Sequence, residues 1–163
     1  MKNKEKLIKT AIKFLRIQAV LLLNSSVNKK SGFSPSNYEG EVQMLSFHGT
    51  ESCNLSKSDE SDDDTYAYTY SFTAGIRLVE KKNTKDDKFL VQIEAKFEAI
   101  YLSDKELKKD CIQEFGDRNV QIHVWPYWRE YVQSTCMRMG INPIPVPLFA
   151  ISNQKNNNKD SDD

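Results

Sequence analysis

Between Tyr66 and Leu78 the chain alternates without a break. Tyr66, Tyr68, Tyr70, Phe72, Ala74, Ile76 and Leu78 fall on one side, and Ala67, Thr69, Ser71, Thr73, Gly75 and Arg77 on the other. A period of two with this aromatic and β-branched content predicts a strand with one buried face. The charged stretch Lys81-Lys82-Asn83-Thr84-Lys85-Asp86-Asp87 then reverses the chain. After it, Val91, Ile93, Ala95, Phe97, Ala99 and Tyr101 alternate with Gln92, Glu94, Lys96 and Glu98. The pair predicts an antiparallel hairpin with one wet face.

Around that hairpin the other elements are shorter. Residues 4–14 suit a basic helix, and residues 15–24, rich in Ile, Val and Leu, a first strand. Ser31-Gly32-Phe33-Ser34-Pro35-Ser36-Asn37 is turn chemistry. Glu41 to His48 alternates weakly and reads as a second strand, followed by a polar, acidic loop from Thr50 to Asp64. Ser103-x-x-Glu106 has the form of a capping box, which predicts a helix from Asp104 to about Phe115-Gly116.

A longer helix follows. Trp125, Trp128, Val132, Cys136 and Met139 recur at three- and four-residue steps and share one face. Pro126 is expected at its first turn, where the missing N–H costs nothing, and Gly140 at a left-handed C-terminal cap. Pro143, Pro145 and Pro147 alternate with apolar residues, so that segment is extended and outside any central strand. The order predicts an α+β fold: a four-stranded antiparallel sheet packed against a long C-terminal helix, in one domain over residues 1–151. Residues 152–163 are low-complexity and expected to be disordered. So much aromatic surface on one helix stripe must be buried by a sheet, a sister subunit or a client. The stripe is more than one such sheet is expected to cover, which predicts a dimer or tetramer.

Composition excludes several chemistries. The chain carries 23 basic and 23 acidic residues, a balance that does not announce a nucleic-acid partner. Residues 2–16 hold six Lys or Arg against one acid, while Asp59, Glu60, Asp62, Asp63 and Asp64 form an acidic run. Tyr66, Tyr68 and Tyr70 beside Lys81, Lys82, Lys85 and Lys88 offer the alternative of a single-stranded nucleic-acid face. No phosphate loop or nucleophile signature occurs, and His48 and His123 lack metal-ligand spacing, so neither catalysis nor a cofactor is expected. Cys53, Cys111 and Cys136 are odd in number and unpaired by spacing, which suits reduced thiols in the cytoplasm. The longest apolar run near the N-terminus, Ala19 to Leu23, is five residues, far short of a membrane span.

Trp125-Pro126-Tyr127-Trp128-Arg129-Glu130, Gly140 ten residues later, and Pro143-Ile144-Pro145-Val146-Pro147-Leu148-Phe149 resemble the main helix and apolar tail of SecB-type protein-export chaperones. Phe89-Leu90-Val91 matches that family's Phe-Leu strand start, and Leu15-Arg16-Ile17-Gln18-Ala19-Val20 lies in the place of its first strand. The resemblance spans roughly residues 14–149. It implies a SecB-like fold, strand pairing between subunits, and a homotetramer (a dimer of dimers) assembled through the long helix. It also implies nucleotide-free binding of unfolded or secretory polypeptides in an apolar groove. Carried over by position, Phe89, Leu90, Leu148 and Phe149 would face the client. Trp125, Pro126, Tyr127, Trp128, Arg129, Glu130, Val132 and Met139 would serve packing and assembly. Gln92 stands where the family's docking strand has an acid, with Glu94 close by, so the SecA translocase motor stays open as a partner. A dedicated client such as an antitoxin is the alternative within the class.

Overall fold

The computed structural model describes residues 2–58, 65–81 and 89–149. An N-terminal helix α1 (Lys2–Phe14) leads into strand β1 (Arg16–Lys29). A turn with Gly32 at positive φ and a short 3-10 turn over Pro35–Asn37 lead to β2 (Val42–Ser58). Strands β3 (Thr65–Glu80) and β4 (Phe89–Ser103) follow, then helices α2 (Lys109–Phe115) and α3 (Gln121–Arg138). The sheet order is β1-β4-β3-β2 with every neighbour antiparallel, so β1 and β2 are its edges.

The predicted alternation sorts residues as expected. Tyr68, Tyr70, Phe72, Ala74 and Ile76 of β3 and Val91, Ile93, Ala95, Phe97, Ala99 and Tyr101 of β4 are buried beneath the helices. The opposite face carries ion pairs at its centre, Arg77 with Glu94 (3.3 Å) and Lys96 with Glu51 (2.7 Å), and exposed Leu21, Leu45 and Phe47 toward its edges.

Three sequence expectations are corrected. The loop expected from Thr50 is strand as far as Ser58, paired residue by residue with the tyrosine-rich half of β3. Ser52, Asn54 and Ser56 have weak strand preference, but a 16-residue β3 supplies ladder partners along its whole length, and pairing overrides propensity. Residues 59–64 of that loop, and 82–87 of the predicted turn, lie outside the described residues. The capping box does not start a helix. The Ser103 hydroxyl donates to Lys105 O (2.8 Å) and accepts from Lys105 N (3.3 Å), closing a local turn that competes with helix. Helix α2 begins five residues beyond the expected Asp104, at Lys109.

The third correction concerns the predicted break at Phe115-Gly116. Gly116 is right-handed helical, and one π turn (Gly116–Val120) joins α2 to α3 in a continuous helical run of 30 residues. A Cβ at Gly116 would lie 3.0 Å from the Tyr70 ring, so the glycine lets the helix close onto the sheet. Pro126 therefore falls inside α3 and not at its start. The carbonyl it deprives of a partner, that of Ile122, belongs to an exposed residue, where water can serve. The far end is as expected. Gly140 takes φ 68°, its N–H bonds to Met137 O, and Ile141 N–H reaches Cys136 O, which is a Schellman motif.

Candidate functional site

Two surfaces of α3 need accounting for, and the sheet covers the first. Trp128 is 1% exposed, and Val132 and Cys136 are sealed with it against β3 and β4. One chain covers this stripe, though not with its sheet alone, so the expected need for a second subunit does not follow. The reason is the tail: Ile141, Ile144 and Val146 fold back on α3 and are buried, supplying a wall that strand counting omits. The stripe therefore gives no argument for assembly. On the opposite side of α3, Ile122, Pro126, Tyr127, Glu130 and Met137 are exposed.

The second surface lies at the first turns of α3, where helix, tail and β2 meet. The Trp125 indole N–H donates to Pro147 O (2.8 Å) and the Arg129 Nε–H donates to Val146 O (3.1 Å). Arg129 thus bonds to tail backbone, while Glu130 is exposed. The Trp125 ring meets Phe149 (centroids 5.4 Å apart) and the edge of His48 (4.9 Å), and His48 also meets Phe149 (5.7 Å). His48 reaches this corner because its register with Ala74 places it on the helix side of β2, and the same parity puts exposed Met44 there. Neither residue was expected at a site, His48 having been weighed only as a metal ligand. The weak alternation from Glu41 to His48 was the only signal for them. The result is an apolar, aromatic corner with two side-chain donors aimed at main-chain carbonyls.

The residues expected to face a client do not converge. Leu148 is 75% exposed and Phe149 half buried, both at this corner. Phe89 pairs with Val79, five residues along β3 from Ala74, about 16 Å away at the rise of a strand. Leu90 is 1% exposed, in the core, and its carbonyl accepts from Lys30 N (2.9 Å). Met139, half buried, has its carbonyl bound by Lys29 Nζ (2.9 Å), which ties the end of β1 to the end of α3.

Two rings of the tyrosine row are closed. The Tyr68 hydroxyl accepts from Leu107 N (2.7 Å) and the Tyr70 hydroxyl donates to Ile112 O (2.9 Å), so both rings lie under α2 and the segment before it. Burial pushes the Tyr70 ionisation up, and a buried ring cannot stack on a base. That takes Tyr68 and Tyr70 away from the nucleic-acid alternative, while Tyr66 is half-buried and Lys82, Lys85 and Lys88 lie outside the described residues. Below it the Tyr101 hydroxyl and His123 Nδ1 share a hydrogen bond (2.8 Å), with Phe115 against both rings. Burial lowers the His123 pKa and favours neutral imidazole. Cys53 on β2 is pushed up to about 11, chiefly by burial, so its thiol stays protonated at neutral pH. Among the described residues no helix is long and apolar enough to cross a membrane.

A four-stranded antiparallel sheet, one helical layer and a proline-broken tail folded back on it define a SecB-like fold. The structure is similar to that of the Mycobacterium tuberculosis Rv1957 SecB-like chaperone in complex with a ChAD peptide from the Rv1956 HigA1 antitoxin. The TM-score is 0.69 at 11% sequence identity, covering 90% of this chain and 99% of that one. No family model matches the sequence, and no curated protein does.

Proposed function

We propose that this protein is a SecB-type holdase: a non-enzymatic chaperone that binds extended, apolar segments of unfolded polypeptide without nucleotide. The observation that carries the reading is the corner of Trp125, His48 and Arg129, aromatic in lining yet equipped with donors for backbone carbonyls. Such a surface suits a chain whose only fixed feature is its backbone. Selective binding of the unfolded state lowers free unfolded chain by mass action, which requires no chemistry. The likeness to a chaperone bound to a peptide supports the same reading.

Assembly enters the proposal through a different element from the one the sequence suggested. Edge strand β1 exposes Ile17, Leu21, Leu22, Leu23 and Val27 with one row of backbone groups unpaired. An apolar edge of this length pairs readily with another strand, so the proposed oligomer forms through β1. The export role and the SecA contact belong to the resemblance. The solved neighbour, in complex with an antitoxin peptide, favours a dedicated client as the second reading.

A reduced, denatured protein diluted into buffer should aggregate more slowly with a several-fold molar excess of this chain, with or without ATP. Unchanged aggregation would remove the reading. Light scattering should return at least twice the 18.8 kDa chain mass, and Leu22→Lys should return the monomer.

A further inference from the structure

The tail itself shows what chemistry the corner accepts. Residues 141–149 are extended, with Ile144 and Val146 turned inward and Pro143, Pro145 and Pro147 exposed. Two consecutive carbonyls, of Val146 and Pro147, are taken by Arg129 Nε and Trp125 Nε1. Phe149 then packs its ring against both Trp125 and His48, which also touch each other. Apolar side chains held at alternate positions, with main-chain carbonyls read by side-chain donors, are how a groove binds an unfolded segment whatever its sequence. The prolines have no N–H to give. Among the described residues no backbone-to-backbone hydrogen bond ties residues 142–149 to the sheet.

We infer that the Val146–Phe149 end of the tail is an intramolecular stand-in for the client, occupying the Trp125–Arg129–His48 corner until an extended apolar segment displaces it. The inference rests on the holdase reading and adds its regulation. A client segment without proline offers the same carbonyls and, in addition, N–H groups for the unpaired edge of β2, the strand that carries His48. It therefore offers an N–H at each position where the tail has Pro143, Pro145 or Pro147. Proline makes the tail a deliberately weak competitor. The apparent affinity for a client is then reduced by the fraction of chains whose corner is closed.

The test uses the full chain and Phe149→Ser, which loosens the plug without touching either donor. The probe is a fluorescein-labelled, reduced and carboxymethylated unfolded protein, followed by anisotropy. Phe149→Ser should bind it more tightly, by about 3- to 10-fold if the native corner is mostly closed. Arg129→Gln combined with Phe149→Ser should lose that gain, because the donor serves tail and client alike. A synthetic peptide of residues 141–149 should compete with the probe for the Phe149→Ser chain. Equal or weaker probe binding by Phe149→Ser overturns the inference, since Phe149 would then be part of the client surface. If neither chain binds the probe, the holdase reading falls and the inference with it. A fall in oligomer mass on Phe149→Ser overturns the intramolecular form, showing the tail seated on a second copy.

Discussion

Trp128 and Trp125 sit three residues apart on one helix, both under apolar cover, yet their surroundings differ in kind. Trp128 is closed in by regular structure, with Val132, Cys136 and the paired strands around it. Trp125 is closed in by the tail, through one indole hydrogen bond and one ring contact with Phe149. The first cover can be removed only by unfolding. The second can be lifted by breaking a few contacts of modest strength. Mere apolarity therefore does not say whether a surface is core or site. The nature of what covers it does.

Trp128→Ala should give the largest effect and sets the sealed end of this contrast. Truncating a buried Trp costs about 3–5 kcal/mol, read by urea denaturation, while client affinity per folded molecule stays constant. A client defect without a stability loss would mean that Trp128 belongs to the binding corner. Tyr70→Phe comes next. It leaves the Ile112 carbonyl without the donor that pins α2 to the sheet, at about 1–3 kcal/mol. Since no client contact is assigned there, this loss should also be purely one of stability. Leu148→Ser, at the exposed end of the tail, should change stability by less than about 0.5 kcal/mol. A larger change would show the tail more firmly built in than its single exposed leucine suggests.

The smallest effect sharpens the sealed side by pH. His123 titrates below its ordinary value in the folded chain because burial disfavours the imidazolium. The unfolded chain therefore takes up its proton first as pH falls. The stability that neutral His123 contributes is present above the unfolded pKa of about 6.5 and is lost as pH drops below it. Melting temperature should fall between about pH 7.5 and pH 5.5 more steeply for the native chain than for His123→Gln, whose side chain can still bond Tyr101. Identical slopes would show that His123 is not held neutral by its surroundings.

Alternation alone located β3 and β4 and told their buried faces from their wet ones, because a strand's side-chain period is a local property. The α3 stripe, the Gly140 cap and the extended proline tail were legible for the same reason. Each depends on residues within one or two turns of itself. What the sequence could not show depends on partners distant along the chain. Thr50 to Ser58 became strand because β3 lay beside it, against the preference of its own serines and asparagine. Gly116 stayed helical because Tyr70 lay beneath it, and the expected cap at Ser103 closed into a turn instead. The candidate corner belongs wholly to this second kind. His48 is some eighty residues from Trp125 and a hundred from Phe149, and no pattern in either segment refers to the other. Only the packing of β2, α3 and the tail brings aromatic rings and carbonyl-seeking donors into one place, because side-chain contacts across the fold are set by tertiary geometry and not by local period.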